Sequence, residues 1–338
     1  MVGRSYFSIY TTYNNKMSLP VAILPSVATT LYSLRSNALS WSGILASWVV
    51  GPTAGIASHR MALHLYLFFF SSSRITRVGE AFKRVLEGKE FKAGGGRTWV
   101  QVFCNGGVQT LLAMAYIRAQ RHAKRGGDAP MQFVEDGEEG REKRNGLNWG
   151  TALMAAHLAA YSCAAGDTWA SELGILSRSN PRLSIAPWRT VPRGTNGGIS
   201  AAGTMASALG GASIGLGHAL YDACAFGVHA QTIQNTVVFA SMSGLVGSMI
   251  DSVLGALFQY SGKIVSKEGI VRIVTSPTIK GNVHITGTNV LSNNQVNVLS
   301  ILLTSLIGIA SSRYFFKHNF TNYKNNNTTH KEAKDRIQ

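Results

Sequence analysis

The stretch Gly166-Asp167-Thr168-Trp169-Ala170-Ser171-Glu172-Leu173-Gly174 closes an apolar run at 147–165 and sets two carboxylates at or near a bilayer boundary. At about 100° per residue, Asp167, Ser171 and Gly174 share one helix face, and Thr168 and Glu172 share another. The two acids are then about 140° apart on a regular helix. They serve one site only if the helix breaks there or neighbouring elements wrap it; otherwise they are solvated acids at a helix end. A third acid lies in Gly244–Gln259, where Gly247, Asp251 and Gly255 are spaced by four, with Ser248 and Ser252 beside them. Small residues at that spacing let helices approach closely, which buries Asp251 against a neighbour. An ionisable group at membrane depth is costly unless paired, so it marks a functional site by default. The plainer alternative is a buried Asp bonded to a Ser or Asn. Asn293, Asn294 and Asn297 open the last apolar segment, with Asn293 and Asn297 on one face. Amides there either cap the helix or offer oxygen ligands to a hard cation.

Basic glycine loops complete the set. Pro192-Arg193-Gly194-Thr195-Asn196-Gly197-Gly198-Ile199 runs into an apolar segment that begins at 199. Glycines there let backbone N–H groups face an anion, the following helix offers its positive end, and Arg189 and Arg193 add charge. Gly94-Gly95-Gly96-Arg97, followed by Gln101 and Asn105-Gly106-Gly107, has the same ingredients, and Lys83 is a further cation. No G-x-x-x-x-G-K-[ST] occurs, and Gly-rich loops are most often plain turns. There is no His pair and no nucleophile elbow. Acids, a divalent cation and phosphate-cradling loops are what phosphoryl transfer needs, because charge must be neutralised and the reacting groups held in line.

The elements that must position these groups are apolar. Segments recur at 21–35, 38–57, 61–73, 100–118, 147–166, 199–221, 223–243, 244–260 and 295–316. A full span needs roughly 20 residues, so 61–73 and the Asn-Gly-Gly-interrupted 100–118 read as short or re-entrant. These segments predict an all-α polytopic membrane bundle of about 6–9 hydrophobic helices. A polar tail at 1–20, carrying Arg4 and Lys16, precedes a single integral membrane domain at 21–316. A polar tail at 317–338 follows, in which Asn319, Asn326 and Asn327 head N-x-[ST] sequons. The loops fall at 74–98 (basic), 121–145 (mixed in sign), 178–198 (Arg178, Arg182, Arg189 and Arg193, with Pro181, Pro187 and Pro192 preventing a long helix) and 261–292. Cationic loops belong on the cytoplasmic side. Yet 74–98 and 121–145 are separated by one segment, so either that segment does not cross or one loop is basic for a functional reason.

Composition agrees. Of 338 residues, 14% are charged and 45% hydrophobic, with 36 glycines. Soluble domains carry about 25% charged residues, so a water-facing ionic coat is lacking. The net charge of +16 sits in short clusters between apolar segments, which argues for a membrane and against nucleic acid as partner. Cys104, Cys163 and Cys224 form no CxxC and read as small core residues.

Four stretches carry a resemblance. They are Leu39-Ser40-Trp41-Ser42-Gly43-Ile44-Leu45-Ala46; Phe70–Gly79 with Lys83 and Arg97–Gly107; Gly166–Ser177 continuing through Arg189–Gly203; and Gly247–Ala256 with Leu291–Asn297. Spread in order over about residues 37–310, they resemble the integral membrane family that groups transmembrane protein 19 with the plant phytyl-phosphate kinase, long labelled a domain of unknown function. The plant member is understood to convert an isoprenyl monophosphate to the diphosphate with a nucleoside triphosphate, CTP being favoured. The chain departs from it in the 121–145 excursion and in having no clear plastid transit peptide, which loosens the link to phytyl phosphate more than the link to the chemistry.

The expectation is therefore a membrane-embedded phosphotransferase acting on a polyprenyl-type lipid monophosphate. Asp167, Glu172 and Asp251 would be catalytic and, with Asn294 and Asn297, would hold Mg²⁺. Lys83, Arg97, Gln101, Asn105, Arg189, Arg193, Gly194, Gly197 and Gly198 would bind phosphate. Its partners would be membrane lipid, the isoprenyl phosphate and the nucleotide. Its home would be an endomembrane of the endoplasmic-reticulum kind, or else an organelle membrane. The alternatives are a cation-coupled transporter or channel with discontinuous helices, and a non-catalytic membrane protein. A prenyltransferase lacks its paired D-x-x-x-D, and a CDP-alcohol phosphotransferase its D-G-x-x-A-R signature.

Overall fold

Caps and glycines set where each helix begins and ends. The computed structural model describes residues 18–87, 95–124, 149–265, 269 and 271–335, with side chains as far as Phe315. The tail residues 1–17, Lys89, Lys92, most of the mixed-charge excursion (125–148) and the sequon side chains lie outside them. Helix α1 (Leu19–Ser36) ends on Asn37, whose φ of 52° is left-handed. Helix α2 (Trp41–Ala57) is capped by Ser40, whose Oγ accepts from the Gly43 amide. Ser58 both ends α2 and caps α3 (His59–Ile75), so the two helices fold back on each other without a loop. A short α4 (Glu80–Glu87) precedes α5 (Trp99–Lys124), α6 (Trp149–Gly174), α7 (Ala201–Phe226), α8 (Ala230–Phe258) and α9 (Asn293–Asp335). These are nine helices among the described residues, and the chain is mostly helical.

Three sequence expectations change. The segment 100–118 is neither short nor broken: α5 runs 26 residues straight through Asn105-Gly106-Gly107, about 39 Å of helix. Asn105 and Gln109 each donate a side-chain N–H to the backbone carbonyl four residues earlier, which satisfies those donors inside the helix. The segments 223–243 and 244–260 are one helix, α8, because the break falls at Gly227 (φ 65°) and Gly244 is a packing position. The acids at 167 and 172 also lie within α6, not beyond its end.

Helix α6 is the axis of the bundle. From Gly150 to Gly166 nearly every residue is buried, and α7, α8, α9, α5 and α3 all pack on it. Small residues make the α6–α7–α8 contact close: Gly166 faces Gly244, and Gly244 faces Gly211. Large apolar side chains such as Leu111, Leu209, Leu216, Met242, Leu303 and Leu306 point outward and are exposed, as a lipid-facing surface requires. Among the described residues three helices, α5, α8 and α9, hold stretches long and apolar enough to cross a membrane by length and composition (Trp99–His122, Ala230–Phe258 and Asn293–Phe315). A Cβ on residue 166 would sit 2.6 Å from the Gly244 carbonyl oxygen and 2.8 Å from its Cα, so Gly166→Val must push α8 off α6. Overpacking of this kind costs about 3 kcal/mol. The expected result is an unfolding midpoint in detergent lowered by about 5 °C or more.

The all-α architecture carries two small antiparallel sheets at one end of the bundle. Strands β1 (Arg182–Leu183), β2 (Ala186–Thr190) and β3 (Gly198–Ile199) pair in the order β2-β1-β3. Strands β4 (Ser261–Val265), β5 (Val271–Val274) and β6 (Val283–Thr286) pair in the order β5-β4-β6. Leu183, Val191, Ala256 and Ile285 form one apolar cluster that seats both sheets on the end of α8. Of the three cysteines only Cys163 is a core thiol; Cys104 is half-buried and Cys224 exposed.

Candidate functional site

The helices α3, α6 and α8 finish, and α5, α7 and α9 begin, at the end of the bundle that carries the sheets. Polar side chains from α5, α6, α8 and α9 meet there. Gly247 of α8 packs against Cys163 of α6 and Thr304 of α9, and one turn further along α8 is Asp251. Asp167 of α6 and Asp251 are close enough for their charges to repel, and both are half-buried. Ser300 of α9 donates to Asp251 Oδ2 at 3.2 Å. One turn back, Asn297 Nδ2 donates to Asn105 Oδ1 at 3.3 Å. Neither acid takes part in an ion pair among the described residues. No group of three or more His, Cys, Asp or Glu side chains there could hold a metal, so a cation at this point would rest on two carboxylates, with amide or hydroxyl neighbours.

Glu172 stands apart from that pair. Because α6 does not break, the acids keep their angular separation, and Glu172 turns to Lys83 of α4 (Nζ–Oε2 2.5 Å). The same ammonium donates to the Thr76 carbonyl at 3.0 Å. Arg97 completes this second cluster: its guanidinium donates to Ser73 Oγ at 3.1 Å and Thr76 Oγ1 at 3.2 Å. Burial lowers the Arg97 pKa from its ordinary value, while the Glu172 carboxylate opposes that. Its backbone is locked by α2, since the Arg97 carbonyl accepts from the Ser40 amide at 3.0 Å and the Arg97 amide donates to the Ala38 carbonyl at 3.1 Å. Gly43 lies so close to that carbonyl that a Cβ there would collide with it. Among the described residues of loop 74–98, Lys83 and Arg97 are the cations bonded in this cluster.

A mostly apolar cavity of about 60 Å³ lies beside Arg97 and Asn105, lined also by Gln101, Tyr66, Ser72 and Tyr161 and by the side chains of Val50, Leu65, Phe68 and Phe69; neither acid of the pair lines it. That is room for about four water-sized groups. Gln101 also has a structural task, accepting from the Thr98 amide at 3.0 Å to cap α5. The amides at the start of α9 are not its caps: Ser292 and Gln295 bond reciprocally, a capping box that leaves Asn297 free to face α5. Asn294 is half-buried one turn before Asn297.

The second glycine loop is packed rather than open. Asn196 N donates to Ser261 Oγ, Gly198 N to the Thr195 carbonyl and Thr195 N to the Pro192 carbonyl. Gly197, at φ 74°, presses on Ser252 and Ala256, the turn of α8 just past Asp251. Arg189 donates to the Ile285 carbonyl and so ties the first sheet to the second, while Arg193 donates to the Arg178 carbonyl and closes the 178–198 segment on itself. Gly194, at φ 85°, lies against Ile273 and Ile175.

A polar network outside the expected set lies deeper. One His in each of three apolar segments meets the others: His64 Nδ1 and His157 Nδ1 are 3.0 Å apart, and His64 Nε2 and His218 Nδ1 are 2.8 Å apart. His218 Nε2 is 3.4 Å from Asp222, which pairs with Arg60 at 2.5 Å. The statement that no His pair exists holds along the chain and fails in space. A lone His inside each apolar run was the available signal.

The family described as "Integral membrane protein DUF92" matches residues 24–305. The chain is 35% identical over 305 residues to "Protein PGR" of Arabidopsis thaliana, covering 87% of this chain and 96% of the relative. It is 25% identical over 300 residues to an uncharacterized membrane protein of Methanocaldococcus jannaschii, covering 88% and 96%. A further uncharacterized membrane protein, from Synechocystis, is 27% identical over 217 residues, covering 63% and 69%. No solved structure matches the chain.

Proposed function

The chain belongs to the DUF92 family of integral membrane proteins, and on that premise we propose that it is a membrane-embedded phosphotransferase that extends a polyprenyl-type lipid monophosphate to the diphosphate. The observation that carries the reading is the acid pair Asp167–Asp251, held side by side by α6 and α8 with no cationic side chain paired to either among the described residues. Two carboxylates placed together in an apolar bundle must share a proton or bind a cation. Mg²⁺ accepts one or two carboxylates and takes its other ligands from water and substrate phosphates, so the pair fits it. Asp167 and Asp251 would hold the ion, with Asn297 and Asn294 near enough in register to position its waters. When bound, Mg²⁺ would supply charge neutralisation on the transferred phosphoryl group.

The rest falls to the chain's own residues. Lys83 and Arg97 would draw the acceptor monophosphate to the end of the cavity, and Glu172 would hold Lys83 in place. Asn105 and Gln101 would donate to phosphate oxygens along the cavity wall. Arg189, Arg193 and the Gly194–Gly198 turn would keep the sheet cap rigid over the acid pair. The acceptor's terminal phosphate oxygen would attack the γ-phosphorus of a nucleoside triphosphate, CTP being the first to try, as its β–γ bridging oxygen leaves with the diphosphate. The apolar tail would lie among the exposed leucines in lipid, in an endomembrane or organelle membrane. The transporter alternative is weakened by α5, α6 and α8, which run unbroken where it needs discontinuous helices.

The test uses purified protein with geranylgeranyl monophosphate, CTP or ATP, and Mg²⁺. Diphosphate should form, should require Mg²⁺ and should fall to background in Asp167→Asn. No product with either nucleotide, or equal product from wild type and Asp167→Asn, overturns the reading.

A further inference from the structure

Helix α4 is amphipathic with its faces reversed. Its Lys83 points inward and is 2% exposed, held by the Glu172 carboxylate and the Thr76 carbonyl. At about 100° per residue, Ala81, Val85 and Phe82 span an arc of about 100° on the other side. That arc is open: Phe82 is 40% and Val85 52% exposed, and Val78, in the turn before the helix, is exposed too. In water such a helix would be turned over, with its valine and phenylalanine against the protein and its lysine outside. Glu172 accounts for the buried lysine. The open apolar arc needs a second partner, one that is itself apolar.

Hydrogen bonds fix the depth of α4. The Thr76 carbonyl accepts from Lys83 and the Thr76 hydroxyl from Arg97, so α4 lies level with residue 97. Two residues on, Trp99 opens α5, and its amide donates to Ser42 Oγ, next to Trp41 at the start of α2. Trp41 and Trp99 are both exposed. Exposed tryptophans at helix ends mark the boundary between acyl chains and headgroups, which puts α4 at that boundary. The charge around the arc is positive. Arg74 and Arg77 are exposed just before it, Arg193 lies 5.7 Å from the Phe82 ring, and Arg84 stays largely exposed while pairing with Glu80 at 3.4 Å. Glu80 is the one acid of α4 whose side chain is described.

We propose that α4 is an interfacial anchor for anionic phospholipid: Ala81, Phe82 and Val85 enter the acyl edge of the leaflet, and Arg74, Arg77, Arg84 and Arg193 hold the phosphate groups of the lipids around it. Both halves are required. Two large apolar side chains bind a neutral surface weakly, and the arginines add attraction only where the headgroups carry net negative charge. The lysine inside has a different task. Pinned to α3 and α6, it fixes which face α4 turns to the lipid, so the helix cannot roll to bring its charges out. A second copy docked through the same face would set arginine against arginine. The anchor is independent of the phosphotransferase reading, because it uses the outer face of α4 and lipids that need not be substrates.

Spin labels on the full chain in lipid nanodiscs give the test. Cys104→Ala and Cys224→Ser remove the accessible thiols, and Cys163 is buried. One label then goes on Val85→Cys and, as a reference on the sheet cap, another on Thr190→Cys, an exposed position of β2. The discs hold phosphatidylcholine with about 30 mol % phosphatidylglycerol. Relative to a nickel chelate, oxygen should reach the label at 85 at least about five-fold better than the label at 190. The protein surface should prefer spin-labelled phosphatidylglycerol to spin-labelled phosphatidylcholine, and Arg74→Gln with Arg84→Gln should cut that preference about five-fold or more. If the labelled chain misfolds, p-benzoylphenylalanine at position 85 of the otherwise native chain takes its place, and lipid adducts should appear by mass spectrometry. Four results each overturn the anchor: a label at 85 as open to the chelate as the one at 190; a label shielded from both quenchers, as a tail of this chain or a second copy would shield it; cross-links to protein in place of lipid; or an unchanged lipid preference in the folded double-arginine variant.

Discussion

Asp251→Asn should lower the diphosphate-forming rate by roughly a thousand-fold, about 4 kcal/mol of barrier, while leaving the protein folded. The side chain is isosteric, so Gly247 still packs on Cys163 and Thr304, and Ser300 still has an oxygen to donate to. What disappears is one of the two negative charges that would hold a divalent ion. Asp167 alone binds such an ion weakly, because its other charged neighbour on α6, Glu172, is 2.5 Å from Lys83 and is not available. The measurement is turnover against Mg²⁺ concentration: the variant should need far more metal and still not reach wild-type rate. A variant with wild-type turnover at wild-type Mg²⁺ would remove the acid pair from the chemistry.

Arg60→Met should be the most destabilising single change in the interior. Arg60 and Asp222 are 3% and 5% exposed, and the pair joins the start of α3 to the last turn of α7. Removing Arg60 leaves the carboxylate beside His218 but without its guanidinium in an apolar bundle, a loss of about 3 kcal/mol. Met is similar in volume and keeps the packing on Phe226, so the loss reports charge and not cavity. The paired replacement Arg60→Met with Asp222→Leu leaves no orphan charge and should recover most of the stability. Thermal unfolding of the three proteins in one detergent checks this, and a double variant as unstable as the single would refute the electrostatic account.

Much of this molecule is written locally. Apolar runs bounded by Ser40, Ser58, Ser200 and Gly227 specify helices, because a cap or a left-handed glycine satisfies the terminal backbone groups within a turn. Spacing of four at Gly247, Asp251 and Gly255 announces a close helix contact, and Gly247 makes one. The small sheets were not legible: 178–198 and 261–292 read as loops, and burial alternates in neither Ser261–Val265 nor Val283–Thr286.

Pairing between distant residues was not local, and there the sequence was silent. Three acids in a row of candidates carry no label saying which two will meet. Because α6 stays helical through Gly174, geometry sent Asp167 to α8 and Glu172 to Lys83, a choice fixed by the Gly166–Gly244 approach and not by either acid. Pro192–Ile199 has the composition of a phosphate loop, yet the Asn196 amide donates to the Ser261 hydroxyl, and the Gly198 amide and the Arg193 guanidinium donate to the Thr195 and Arg178 carbonyls. The three histidines lie 93 and 154 residues apart along the chain and form one hydrogen-bonded line only after three helices pack. Segment identity follows from backbone bonds made within a few residues. Partnership follows from which helix faces are flat enough to touch, and that is decided by the whole bundle at once.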